Sequence, residues 1–141
     1  MSNTSEIRWK QRFENFEKAL LLLQESLEAK PVREYSKLEQ EGIVQRFEYT
    51  FELGWKTMKD RLFYEGYDEN TPRSVIRRAF EANYISEDDA ELWLDSLDKR
   101  NLLSHTYNEA VAMLALEKIE KEYSQMLSRL YHRLQPEAGI E

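Results

Sequence analysis

Ile43-Val44-Gln45-Arg46-Phe47-Glu48-Tyr49-Thr50-Phe51-Glu52-Leu53-Gly54-Trp55-Lys56-Thr57-Met58-Lys59-Asp60-Arg61-Leu62 is the stretch that decides the fold. Ile43, Phe47, Phe51, Met58 and Leu62 return at steps of four and seven residues, the period of one helical face and not of a strand. Ser36 with Glu39 three residues later is a capping-box start. Glu65-Gly66 closes the run, because glycine takes the left-handed conformation without a steric cost. One long helix is therefore predicted from about Ser36 to about Tyr64.

The same period extends outward. Phe13, Phe16, Leu20, Leu23 and Leu27 predict a helix from about Ile7 to Ala29, closed by Pro31. Downstream, Thr71-Pro72 is a cap followed by proline at the first helical position, opening a short helix to about Ala82. Ser86 begins another, with Glu87, Asp88 and Asp89 suiting its positive end and Leu92, Trp93 and Leu97 on its inner face. A last helix is predicted from about Thr106 or Asn108 to Leu134, with Leu114, Tyr123, Leu127 and Leu130 inward. The expectation is an all-α antiparallel bundle of about five helices in one domain, residues 1–134, with a polar tail at 135–141. Long amphipathic helices in a short chain keep apolar surface for a partner, and a homodimer is the commonest solution.

Composition agrees. The chain has 141 residues, 41% of them hydrophobic, enough for a core, and only 4 Gly and 3 Pro, too few turns for a sandwich or barrel of short strands. With no Cys there is no disulfide framework and no thiolate chemistry. The longest apolar run, Ala19-Leu20-Leu21-Leu22-Leu23, is far short of a membrane span. Met1 to Glu6 lacks the basic and apolar parts of a signal peptide, so a cytoplasmic location is expected. Twenty basic against 27 acidic side chains give a net charge of −7, with no basic arm. Non-specific nucleic-acid binding draws on phosphate neutralisation, so no DNA partner is expected and any RNA must be met at a local site.

Few residues offer chemistry. No glycine-rich phosphate loop, His-x-x-x-His or calcium loop is present, and the two His make a thin supply for a metal site, so none is expected. The acids spaced one helical turn apart read as a solvated face. His132, near the end of the last helix, complements its negative end. His105 stands in the densest polar run, Asp98-Lys99-Arg100-Asn101-Leu102-Leu103-Ser104-His105-Thr106-Tyr107-Asn108-Glu109. On one unbroken helix Arg100 and His105 lie roughly 140° apart and do not converge. Thr106 with Glu109 is a second capping-box pattern, and a break near Ser104 places His105 and Tyr107 at the start of the last helix. A helix N-terminus, an Arg fork and a His that titrates near neutrality suit phosphodiester chemistry. A satisfied helix-junction histidine is the competing reading, since an Arg four to six residues before a His is expected about 0.5 times by chance in such a chain. Arg73, Arg77 and Arg78 form the one local basic cluster, suited to RNA or a partner and equally to solvent. Phe47, Phe51 and Trp55 read as core or dimer packing.

Three segments together resemble one family. They are Leu38 to Asp60, Pro72-Arg73-Ser74-Val75-Ile76-Arg77-Arg78-Ala79-Phe80, and Leu92-Trp93-Leu94-Asp95 followed by Arg100-Asn101-Leu102-Leu103-Ser104-His105-Thr106-Tyr107. The chain resembles, over about residues 10–130, the HepT-like group of HEPN proteins, long labelled nucleotidyltransferase substrate-binding proteins. The resemblance implies a four-helix up-and-down core, a homodimer and an active site between protomers. It implies a metal-independent endoribonuclease of the toxin type, from a type VII-like toxin–antitoxin pair, with no cofactor, in which Arg100 and His105 form the Arg-x4-His centre and Asn101 lines the cleft. Tyr107 then corresponds to the tyrosine that a partner minimal nucleotidyltransferase modifies with AMP. The alternative within the family is a non-catalytic subunit that binds the transferase.

Overall fold

A computed structural model describes the backbone of residues 2–105 and 109–139 and the side chains of residues 4–103 and 109–139. Its elements are α1 (Ser2–Ala29), a 3-10 turn (Val32–Glu34), α2 (Lys37–Tyr64), α3 (Pro72–Glu81), α4 (Glu87–His105), α5 (Glu109–Lys118), a π turn (Ile119–Tyr123), α6 (Ser124–Leu134) and a closing 3-10 turn (Gln135–Ala138). Residues flanking the π turn keep right-handed helical backbone, so α5, the π turn and α6 form one continuous rod, the fifth helix of the bundle. Among the described residues there is no strand.

Local chemistry sets the ends. Ser36 accepts from the Glu39 amide while Glu39 accepts from the Ser36 amide, a complete capping box. Thr71 and Ser74 do the same for α3, behind Pro72. The Ser86 hydroxyl accepts from the Asp89 amide at the head of α4. At the end of α2, Gly66 takes φ +100°, the Gly66 amide donates to Phe63 and the Tyr67 amide to Leu62, which satisfies two of the last carbonyls. Asn83, at φ 65°, closes α3 by the same pattern.

Pairings across the bundle fix its directions. Arg12 reaches Asp60, and Arg46 donates to the Leu22 carbonyl, so α1 and α2 run antiparallel. Arg129 grips Asp89 with two bonds of 2.8 and 2.7 Å, and Lys118 reaches Asp95, so the last rod runs antiparallel to α4. Phe13 stacks on Tyr131 at 5.2 Å and Phe51 packs on Trp93 at 5.3 Å, closing the up-and-down arrangement. The core is Phe13, Phe16, Phe47, Phe51, Trp93, Tyr123 and their aliphatic neighbours, each burial supplying roughly 1.5–3 kcal/mol before chain entropy is subtracted.

Leu114 is a correction. It is 57% exposed, not inward. Two residues of α-helix turn about 200°, so Leu114 points away from Leu116, which takes the buried face of α5. A second correction concerns His105: the break expected near Ser104 comes after His105, so that residue ends α4 instead of opening the last helix, and α5 begins at Glu109. Beyond the rod, Ala138 is buried and Arg61 bonds Glu137, so residues 135–138 fold back on the bundle.

Candidate functional site

Arg100 lies two turns beyond Trp93 on the side of α4 that meets α2. Because Phe51 and Trp93 are locked together in the core, Glu52 and Arg100 come face to face at its edge. Arg100 Nη2 donates to Glu52 Oε1, and Nη1 donates to Asn101 Oδ1 at 3.1 Å. The guanidinium carbon sits 5.7 Å from the Phe51 ring centre. Glu52 is anchored in turn. Its Oε2 accepts from the Trp55 indole N–H at 3.1 Å and lies 3.4 Å from Lys56 Nζ.

The charges respond to this setting. Burial pushes the Glu52 carboxyl up, but the hydrogen bond and charge of Arg100, joined by Lys56, outweigh it and hold the group below the usual glutamate range. Glu48, one turn earlier on the same face, is raised by burial, which the charge of Arg100 offsets only in part.

Glu48 also lines a groove of about 920 Å³ between the first half of α2, Leu103 at the end of α4, and the start of α5. Glu41, Glu109 and Lys37 add charge to its wall, Lys37 and Glu109 being paired across it, and Val44, Met113 and Leu116 add apolar surface. Leu38, 78% exposed, lines it as well, and Leu102, next to Leu103, is 54% exposed. Among the described residues no group of three or more His, Asp or Glu could hold a metal ion.

The structure places Arg100 and Asn101 together. His105 is the last residue of α4, and five residues of continuous helix separate it from Arg100 by roughly 140° about the axis. The side chain of His105 and the whole of Tyr107 lie outside the described residues, as does the expected cap at Thr106; α5 opens at Glu109. Arg73 pairs with Asp98 at 3.0 Å, which ties α3 to α4 just ahead of Arg100. Arg78 pairs with Glu69 and Glu81 and sits over Tyr67, and Arg77 is exposed beside it, around a separate shallow depression. Phe47, Phe51 and Trp55 are buried. Glu52 and Glu48 escape sequence reading, because acids one helical turn apart next to Lys56 look like a solvated face. The available signal was the apolar company of Glu52, Phe51-Glu52-Leu53-Gly54-Trp55.

The profile of the family described as "Nucleotidyltransferase substrate binding protein like" matches residues 11–136. The chain belongs to the HepT-like HEPN family of nucleotidyltransferase substrate-binding proteins. A Haemophilus influenzae protein named "Probable ribonuclease HepT" is 30% identical over 102 residues, 67% of this chain and 68% of that one. A crystal structure from Thermus thermophilus superposes with a TM-score of 0.77 at 35% identity, covering 85% of this chain and 98% of the other. The family match takes in every helix of the HepT-like bundle from the third turn of α1 onward, so Arg100 and Asn101 fall inside it. Among the described residues no helix is long and apolar enough to cross a membrane.

Proposed function

We propose that this HepT-like chain is the toxin of a type VII-like toxin–antitoxin pair, a homodimeric, metal-independent endoribonuclease acting through Arg100 and His105. The observation that carries the reading is the Arg100 guanidinium, oriented by Glu52, Asn101 and Phe51 on the helix that ends in His105. The HepT relative named a probable ribonuclease supports it. Because Arg100 and His105 are set apart around one helix, a two-fold cleft that gathers them from both protomers is the arrangement in which they can act together.

In that cleft one His105 takes the proton of a ribose 2′-hydroxyl as its oxygen attacks phosphorus, and the other gives a proton to the departing 5′-oxygen. Arg100 meets the charge that builds on the phosphorane-like transition state. Products carry 2′,3′-cyclic phosphate and 5′-hydroxyl ends. AMP placed on Tyr107 by a partner nucleotidyltransferase sets a phosphate two residues from His105, where it competes with the substrate phosphate and repels RNA. The transferase and RNA are the proposed partners.

The test is RNA cleavage by purified, unmodified protein in chelator, beside Arg100→Ala and His105→Ala. Cleavage by the parent that both substitutions abolish supports the reading, and 5′-phosphate ends would sink the cyclising chemistry. Tyr107→Phe should cleave as the parent does yet escape silencing by the transferase. A folded, dimeric parent that cuts none of several RNAs would favour the subunit reading, in which the chain binds the transferase without catalysis.

A further inference from the structure

Among the described residues Arg100 meets Glu52, Phe51 and Asn101, and the first two lie on α2. Glu52 takes Nη2 on one carboxylate oxygen, and Phe51 lies under the guanidinium at 5.7 Å. The other oxygen of Glu52 is engaged by Trp55 at 3.1 Å and Lys56 at 3.4 Å. Trp55 is itself only 7% exposed, held among core residues, so the chain of contacts runs from the core through an indole N–H and a carboxylate to the guanidinium. Exposed arginines gain little from an ion pair and keep their rotamer freedom. The Arg100 side chain is 22% exposed and its partner 34%, a setting in which orientation is worth holding.

We propose that Glu52 is a positioning residue for the nuclease centre, aiming Arg100 at the scissile phosphate and itself touching no substrate. The inference rests on the ribonuclease reading above. Glu52 uses both oxygens as acceptors, toward donors on opposite sides. A glutamine keeps the shape but has one oxygen and one NH2, so one side always faces donor to donor. Misplacing a charged group by about 1 Å costs on the order of 100-fold in rate.

The experiment measures steady-state cleavage of one RNA by the full chain, as parent, Glu52→Gln and Arg100→Ala. Each is checked for fold by circular dichroism and melting. Glu52→Gln is expected to lose about 10- to 100-fold in kcat with KM within about twofold, since it spoils aim and not binding. A merely structural loss would instead lower the melting point of Glu52→Gln along with its kcat, which overturns the positioning role. Parental kcat in Glu52→Gln, with Arg100→Ala dead, overturns the positioning role and leaves the nuclease standing. Parental cleavage by Arg100→Ala overturns the nuclease site and this inference with it. Should Glu52→Gln fail to fold, Glu52→Asp keeps the charge and shortens the reach by one methylene. A drop in its kcat at constant KM supports the role, and parental kcat overturns it.

Discussion

Asp95 accepts from Lys99 at 3.2 Å, from Lys118 at 3.1 Å and from the Tyr123 hydroxyl, and so ties α4 to the π turn of the last rod. Burial pushes its carboxyl up, but these three donors outweigh burial and hold it below the ordinary aspartate value of 3.8. A carboxyl lowered on folding adds stability above its unfolded pKa and loses it as pH falls through the folded one. Asp95→Asn should therefore be less stable than the parent at neutral pH, by about 1 kcal/mol given the partial exposure of the site. The gap should close as pH drops below 3.8. Denaturant titrations at pH 7 and pH 3 measure it, and a gap independent of pH would contradict the assignment. Tyr123 answers in kind: burial first, then its bond to Asp95, raises its hydroxyl well above the ordinary tyrosine value. At the same scale, Arg100 was named through the family resemblance, its spacing to His105 being by itself a chance pattern, and Glu52 was not named at all. Its half-buried state is created by α4 crossing α2, a long-range event that its local surroundings do not announce.

Among the elements, α2 depends on having no side chain at Gly54. A Cβ there would stand 2.9 Å from the Trp93 ring, 3.1 Å from the Phe16 ring and 3.5 Å from Leu127. Those contacts come from α4, α1 and α6, so Gly54 marks a place where four helices meet closely. Both rings are fully buried and have little room to yield. Gly54→Ala gains about 1 kcal/mol of helix propensity. Overpacking costs typically about 1–3 kcal/mol. The net expectation is a loss of about 1 kcal/mol, read as a lower midpoint in urea, and a stabilised variant would mean that the rings move aside. The caps at Ser36 and Thr71 were legible because they are chemistry between near neighbours. The π turn was not, since no residue type announces it. The expectation for Leu114 failed because it stands two residues, about 200° of helix, from Leu116, which holds the buried face of α5.

At the scale of the whole molecule, three exposed leucines stand at or next in sequence to the lining of the groove. Leu38 lines it, and Leu102 and Leu114 adjoin its lining residues Leu103 and Met113. If two copies meet there, Leu102→Glu and Leu114→Glu should each turn a dimer into a folded monomer in sedimentation equilibrium and lower RNA cleavage in parallel. A parent that sediments as a monomer at micromolar concentration would count against the shared cleft. The acidic lining of the same groove has a different consequence. With Glu41 and Glu48 around it, Glu109 being paired with Lys37, and a net charge of −7 overall, the molecule would, on the proposed ribonuclease reading, repel an RNA approaching Arg100. Raising ionic strength from about 0.01 to about 0.15 M shortens the range of that repulsion from about 30 to about 8 Å. If RNA is the substrate, modest salt should therefore speed its cleavage, opposite in sign to the counterion-release slope of a basic phosphate-binding surface.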